Sequence, residues 1–430
     1  MSTTILAQLV ILFGIVNLIR IVLYMVGADM HDIEHADRIR KATAGLSVVP
    51  SRPRVSVIIP AYNEERVIIR ALASVYANDY PFKEVVVVDD GSNDRTSELV
   101  RNWAKQHQPR NFRLIRKANA GKAMAINRGV TETTGSIIMV LDADSVLHPE
   151  ALTNLIPYFQ DSAVAMTASN VKIMDASSPL KLAQKFEYLI CYRMKRAQTT
   201  FNIEYIIGGI GSAFRRSTWE LVGGFDSDTV TEDIDFTMKV LRLGSKVHKV
   251  IYAPRVITYT EPVQNVSQLV KQRYRWKYGR SQVFLKNWRM FGSLERSHDK
   301  RLTLLALPYA LFADLAFFFE PLITGFILYI IVRYHDWLTL LAAYFVLTLY
   351  VLLNLIAEET ESWQSKLRLA PFALLQYPLQ FALSFAEYAA LIKTWLKTKT
   401  ILARAQEKTS WMHVERAGKE LPDTQLHRLS

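Results

Sequence analysis

The chain has 430 residues, of which 50% are hydrophobic, 21% charged and 11% aromatic, and it carries a formal net charge of +12. With 17 glycines and 15 prolines it is neither disordered nor fibrous, and a single cysteine, Cys191, excludes an internal disulfide framework. Soluble chains carry about 25% charge, so apolar residues are in excess, while the positive charge admits nucleic acid, anionic lipid or a phosphorylated substrate as partner.

Ile5 to Gly27 is an apolar run of 23 residues, long enough to cross a hydrocarbon layer of about 30 Å. It has neither the basic start nor the small-residue cleavage site of a signal peptide, so residues 1–28 are read as a retained transmembrane helix. No Lys or Arg precedes the run, whereas Arg38, Arg40, Lys41, Arg52 and Arg54 come after it. The positive-inside rule then predicts a cytoplasmic location for the domain beyond this helix. Residues 29–53 read as a polar linker.

Val55–Ile59, Val85–Asp89 and Ile137–Leu141 are short β-branched runs of the kind that form strands covered on both faces. Helical patterns at Glu64 to Tyr76, Arg95 to Gln106 and Lys122 to Thr131 alternate with them. The alternation predicts an α/β, doubly wound sheet over 54–262, with ligands beyond the carboxyl ends of the strands.

The acids stand at those ends. Pro60-Ala61-Tyr62-Asn63-Glu64 comes after the first run, Asp89-Asp90-Gly91-Ser92 after the second, and Asp142-Ala143-Asp144 after the last. Each alone reads as a turn or a helix cap. Together they crowd like charges at one rim, which is costly without a cation or donors. Asp-x-Asp suits Mg²⁺ or Mn²⁺ shared with a phosphate. Asn119-Ala120-Gly121-Lys122 offers a helix N-terminus and an ammonium to such a phosphate. Gly208 to Ala213 is a small, flexible stretch suited to close backbone approach. Thr231-Glu232-Asp233 reads locally as an N-cap with acids in the first helical turn.

Residues 263–301 form a basic segment, with ten Lys or Arg between Gln264 and Arg301. A basic strip beside membrane helices is by default an anionic-lipid contact, and this placement argues against nucleic acid. Its Gln272-x-x-Arg275-Trp276 core is different: guanidinium forks match phosphate oxygens, and an indole stacks on a sugar or rests at a membrane interface. Residues 302–396 are apolar again, at Leu302 to Val332, Trp337 to Ile356 and Leu369 to Leu396. Asp314 and Glu320 fit either a polar path or an interfacial face. The last segment, interrupted by Pro371 and Pro378, is either a kinked span or an amphipathic interfacial helix. The tail, 397–430, is basic, which favours a cytoplasmic terminus and the interfacial reading. Cys191 reads as an ordinary buried cysteine, and the nine histidines show no ligand spacing.

The series Pro60–Glu64, Asp89–Ser92, Asn119–Lys122, Asp142–Asp144, Gly208–Ser212, Thr231–Asp233 and Gln272–Trp276 resembles the processive, membrane-integrated family 2 glycosyltransferases. These are the synthases of cellulose, chitin, hyaluronan and poly-N-acetylglucosamine. Ala213-Phe214-Arg215-Arg216, Thr231 to Asp235 and Lys271-Gln272-Arg273 look most like the bacterial poly-β-1,6-N-acetylglucosamine branch. The resemblance covers roughly residues 54 to 280. It departs from several relatives in having one leading membrane segment rather than two, and it lacks the regulatory domain appended to bacterial cellulose synthase.

The resemblance implies a GT-A fold held between transmembrane helices. It implies a UDP-sugar donor, UDP-N-acetylglucosamine for preference, and a growing polysaccharide acceptor. Membrane lipids and a small accessory or export protein would be its other partners. Tyr62 and Glu64 would border the nucleotide, Asp90 the uracil, and Asp142 the nucleotide side, with Asp144 on Mg²⁺ or Mn²⁺. Lys122, Gln272, Arg273 and Arg275 would hold the diphosphate. Gly211, Ser212 and Trp276 would meet the acceptor, and Asp233 would be the general base of an inverting transfer. Trp411 to Arg416 would return to the mouth of the site. Two other readings stay open: a non-processive transferase acting on a lipid phosphate, and a non-catalytic membrane protein that binds nucleotide or polysaccharide.

Overall fold

The β-branched runs form a parallel half-sheet. In a computed structural model describing residues 3–44 and 52–403, the strands are β1 (Val55–Ala61), β2 (Lys83–Asp89), β3 (Phe112–Arg116) and β4 (Ile137–Val140). They lie in the order β3-β2-β1-β4, all parallel. Every residue of β1 and β4 is buried, because both faces are covered. On one face Leu72, Val75 and Val100 pack against Val57, Ile59, Val85 and Val87. On the other, Ile126, Val130, Phe236 and Val240 pack against Ile58, Val86 and Val88. The alternation along each strand assigns its side chains to the two faces.

Four further strands complete an eight-stranded sheet in the order β3-β2-β1-β4-β7-β6-β8-β5. They are β5 (Ser145–Leu147), β6 (Val164–Ile173), β7 (Ser212–Arg215) and β8 (Lys249–Thr260). β7 runs antiparallel to both β4 and β6, and β5 runs antiparallel to β8. The sheet is thus parallel in its first half and mixed in its second, within the α/β architecture that the sequence pattern predicts.

Among the described residues, four helical segments are long and apolar enough to cross a membrane: Gly14–Glu34, Arg301–Tyr334, Trp337–Ala357 and Trp363–Leu396. Leu322 and Leu338 are 72% and 78% exposed, so these surfaces need an apolar environment or a cover. The first segment belongs to one helix, Thr3–Ala44. Residues 29–53, expected as a linker, are therefore helical as far as Ala44, since 28–44 holds no Gly or Pro. In the fourth segment a 3₁₀ turn, Ala370–Leu375 with Pro371 near its start, separates Trp363–Leu369 from Gln376–Leu396. Leu383 and Ala386 of Gln376–Leu396 pack on Ala183 and Leu269 of the α/β domain. Trp411 to Arg416 lie outside the described residues.

The leading helix is bolted to that domain by charge. Arg196, on the helix Pro179–Thr200, is fully buried and pairs with Asp32 at 2.6 Å and Glu358 at 3.2 Å. Arg193 pairs with Asp29 and Asp32. Asp29 and Asp32 come from the leading helix, and Glu358 directly succeeds the Trp337–Ala357 helix, so one buried arginine joins three elements.

Candidate active site

The loops beyond β1 and β4 open onto one cavity of about 570 Å³. Pro60 and Glu64 come from the first loop, Asp142 and Asp144 from the second. Ala120 to Ala123 bring the N-terminus of the helix Lys122–Thr131 into the wall. Gly208, Gly209, Glu232 and Asp233 line the middle. Beyond them stand Gln272, Arg275 and Trp276 from the helix Val266–Lys286, then Glu187, Tyr188, Cys191 and Glu387.

Lys122 organises one end of the cavity. Its Nζ lies 2.7 Å from Asp142 Oδ1 and 3.2 Å from Glu232 Oε1. Burial opposes the charge, but Asp142, Glu232 and Asp233 outweigh it and hold the ammonium protonated far above the usual lysine range. Burial raises the Asp142 carboxyl, Lys122 pulls it back down, and Asp144 pushes it up again. Two facing carboxylates whose repulsion is incompletely offset, with oxygen-only ligands, fit a hard divalent cation. Arg70 steadies this loop by donating to the Asp144 carbonyl at 3.1 Å.

Asp233 sits at the centre. Its Oδ2 accepts the Gly209 N–H at 2.8 Å and its Oδ1 the Ile234 N–H at 2.9 Å. Burial and then the neighbouring Glu232 push its carboxyl up to about 6, against the pull of Lys122 and Arg275. A base poised there is matched to neutral pH. Gly209 is what leaves room for this group: a Cβ on it would lie 3.0 Å from Lys122 Nζ and 3.6 Å from Asp233 Oδ2. Two aspartates, a raised carboxyl and an indole share one wall, and residues 56–288 match the profile of Glycosyl transferase family 2.

The chain belongs to that family, and it is a glycosyltransferase. It is similar to poly-β-1,6-N-acetyl-D-glucosamine synthases of Staphylococcus epidermidis (31% identity) and Staphylococcus aureus (30%). Each match spans 237 residues, 54% of this chain and 56% of the relative. The chain thus spans about half the length of these curated relatives. A Bacillus subtilis protein titled "Probable glycosyltransferase YdaM" is 29% identical over 324 residues, 72% of this chain and 76% of that one. Among solved structures, a mannosyltransferase of Pyrobaculum calidifontis, in complex with GDP-Man and Mn²⁺, aligns with a TM-score of 0.56 at 24% identity. The alignment covers 89% of this chain and 97% of that one, and it establishes the GT-A fold.

Of the residues the sequence singles out in this transferase, Glu64, Lys122, Asp142, Asp144, Asp233, Gln272, Arg273, Arg275 and Trp276 share the cavity wall. Tyr62, Asp90, Gly211 and Ser212 lie outside it. The Asp90 carboxylate is fully buried and accepts from Gly121 N at 2.8 Å, Ala120 N at 3.1 Å and Lys117 Nζ at 2.5 Å. It holds the loop that presents Ala120 to Lys122. Gly211 has a φ of +63°, and a Cβ there would lie 2.9 Å from Ser169 Oγ and closer still to Thr258 Oγ1. Its smallness lets the turn that enters β7 pass close to β6 and β8, and Ser212 opens β7. Cys191 departs from expectation in the other direction: it opens onto the cavity, with its thiol pushed up to about 12 by burial and by Glu187.

Sequence reasoning missed Glu187, Tyr188, Tyr205 and Glu387 in the wall. A usable signal existed for the first of these. Gln184, Glu187, Cys191, Lys195 and Gln198 repeat at intervals of three or four on a helix opened by Ser178-Pro179, and all five line the cavity.

Proposed function

We propose that the protein is a membrane-embedded, inverting polysaccharide synthase. On this reading it uses a UDP-sugar, UDP-N-acetylglucosamine for preference, extends a β-linked chain and passes it outward between its apolar helices. The catalytic domain and the tail would lie on the cytoplasmic side. The observation that carries this reading is the continuity of the cavity. It runs from Asp142, Asp144 and Lys122, past Asp233, to Trp276 and then to Glu387 on the last membrane-length helix. The similarity to poly-β-1,6-N-acetyl-D-glucosamine synthases supports the choice of sugar.

The residues dictate the chemistry. Lys122, Gln272 and Arg275 bind the donor diphosphate, and Glu64 borders the nucleotide. Trp276 stacks on the acceptor sugar. Asp233 takes the proton from the acceptor hydroxyl as that oxygen bonds to the anomeric carbon. The carbon–oxygen bond to the diphosphate breaks on the opposite face, and UDP departs with inversion. Asp144, with Asp142 beside it, would hold Mg²⁺ or Mn²⁺, which offsets the charge of the leaving diphosphate when bound. Lipids surround the apolar helices, and a small accessory protein is compatible with onward export.

The test is turnover in purified membranes given single UDP-sugars with Mg²⁺ or Mn²⁺, scoring UDP release and digestion by linkage-specific hydrolases. A polymer cut by a β-1,6-N-acetylglucosaminidase is expected. A product one sugar long that stays on a lipid would overturn polymerisation, and no UDP release with UDP-N-acetylglucosamine would overturn the donor.

A further inference from the structure

We propose that Arg273 is a positioning residue: clamped by Glu187 and Glu387, it orients the Trp276 indole at the acceptor position and does not bind the donor diphosphate. The inference rests on the reading of Trp276 as the acceptor platform. The resemblance groups Arg273 with the diphosphate ligands, yet its guanidinium is ion-paired with Glu187 and Glu387. Nη2 donates to Glu187 Oε2 at 2.5 Å, and Nε lies 3.4 Å from Glu387 Oε1. The guanidinium carbon is 4.5 Å from the centre of the Trp276 ring, within cation–π range. Arg273 is only 4% exposed, so the stack is desolvated, where such contacts are strongest. Residues 273 and 276 are three apart on one helix and therefore share a face.

Charge balance points the same way. Lys277 lies 3.2 Å from Glu387 and 3.0 Å from Asp314, and Arg280 also pairs with Asp314. Arg273, Lys277 and Arg280 thus face Glu187, Glu387 and Asp314, three cations against three carboxylates. That neutral cluster has little net field to offer a diphosphate. Arg275 instead acts on Asp233, at the donor side. The clamp also draws on three helices, since Glu187 lies on Pro179–Thr200, Arg273 on Val266–Lys286 and Glu387 on Gln376–Leu396. The orientation of Trp276 is therefore tied to the last membrane-length helix.

The test uses the full-length protein in detergent, with UDP for donor binding and UDP-N-acetylglucosamine plus a soluble β-1,6-linked N-acetylglucosamine hexasaccharide for turnover. Arg273→Gln leaves Glu187 buried without its partner, so the double variant Arg273→Gln/Glu187→Gln guards against simple misfolding. Both should bind UDP within about twofold of wild type, while the acceptor KM rises about tenfold, as loss of a desolvated cation–π contact implies. Arg273→Lys keeps the charge but not the planar fork, so it should restore the melting temperature without restoring the acceptor KM. A tenfold weaker UDP Kd with an unchanged acceptor KM would return Arg273 to the diphosphate and overturn the clamp. If Trp276→Ala raises the acceptor KM and the double variant does not, the clamp alone fails. If Trp276→Ala leaves it unchanged, the platform reading falls, and the clamp with it.

Discussion

The position of Asp233 makes its pH dependence the sharpest test of the chemistry. With its carboxyl near 6, about a tenth of the molecules carry the basic form at pH 5 and about nine-tenths at pH 7. The value of kcat/KM should therefore fall about tenfold from pH 7.5 to pH 5, with an inflection near 6. A carboxyl at its ordinary 3.8 would still be about nine-tenths ionised at pH 5 and would leave the profile nearly flat. Because Glu232 raises this carboxyl, Glu232→Gln should move the inflection down. Asp233→Asn should lower kcat by about 10²- to 10⁴-fold, the usual contribution of a positioned base, while UDP binding persists. Stability should move the opposite way. The folded-state value lies above the unfolded one, so ionised Asp233 costs the fold something on the order of 3 kcal/mol at neutral pH. That cost disappears as pH falls from 6 towards 4 and the native carboxyl takes up its proton. Asp233→Asn should therefore melt above wild type at pH 7.5, lose about half of that advantage at pH 5 and most of it by pH 4. A profile flat between pH 5 and 8, or a variant retaining more than about a hundredth of wild-type kcat, would refute the assignment of the base.

Other contacts make separate demands. Arg196→Met leaves Asp32 and Glu358 facing each other in a buried junction and should cost about 3–5 kcal/mol in detergent melting experiments, part of it recovered by adding Glu358→Gln. Gly209→Ala intrudes between Lys122 and Asp233 and should lower kcat on the order of ten- to a hundredfold with the melting temperature unchanged. Lys286 Nζ lies 2.7 Å from Asp226 and 2.8 Å from both Asp228 and Asp235, and Asp235 is fully buried. Lys286→Met should thus cost about 2–3 kcal/mol and lower kcat, because those acids flank the segment bearing Asp233.

The parts of the fold legible in the sequence are those set by local forces. Val55–Ile59, Val85–Asp89 and Ile137–Leu141 are strands because β-branched side chains suit a doubly covered sheet, a pattern that composition alone displays. β6 and β8 were hidden because Asn170, Lys172, Pro254 and Arg255 interrupt their apolar runs. These breaks are tolerated through tertiary contacts: Asn170 donates to the Pro254 carbonyl at 3.0 Å and Lys172 pairs with Glu361 at 3.1 Å. The site divides in the same way. Asp142, Asp144 and Lys122 stand directly at strand ends and a helix start, so local sequence reveals them. Glu187 and Glu387 reach the cavity from helices 200 residues apart in sequence. Their meeting is a product of packing, and no spacing rule encodes it. Asp90 and Gly211 also support the backbone that shapes the site, one through the N–H groups of Ala120 and Gly121 and the other through its positive φ.

The basic strip shows how far the fold redistributes charge. Of its ten Lys or Arg, Arg273, Lys277, Arg280, Lys286 and Arg301 are ion-paired to carboxylates of the same chain, and Arg275 lines the cavity. The sequence assigns most of this charge to lipid, whereas Arg273, Lys277, Arg280 and Lys286 turn inward because the acids that meet them lie far away in the chain; Arg301 stays exposed beside its neighbour Asp299. Lys271, Arg289 and Arg296 are exposed and are the strip's candidates for lipid contact. Each basic side chain near an anionic surface contributes about 1 kcal/mol, falling off within a Debye length. Replacing all three with Gln should therefore reduce the stimulation of turnover by phosphatidylglycerol in nanodiscs, and added salt should mimic the change. Turnover in neutral detergent should be unaffected, since none of the three is paired within the site. The inward group should behave oppositely, because pairs with little solvent between them are weakly screened. Their loss should lower the melting temperature in every lipid and at every salt concentration. If the triple Gln variant lost activity in detergent, or responded to phosphatidylglycerol as wild type does, this division of the strip would be wrong.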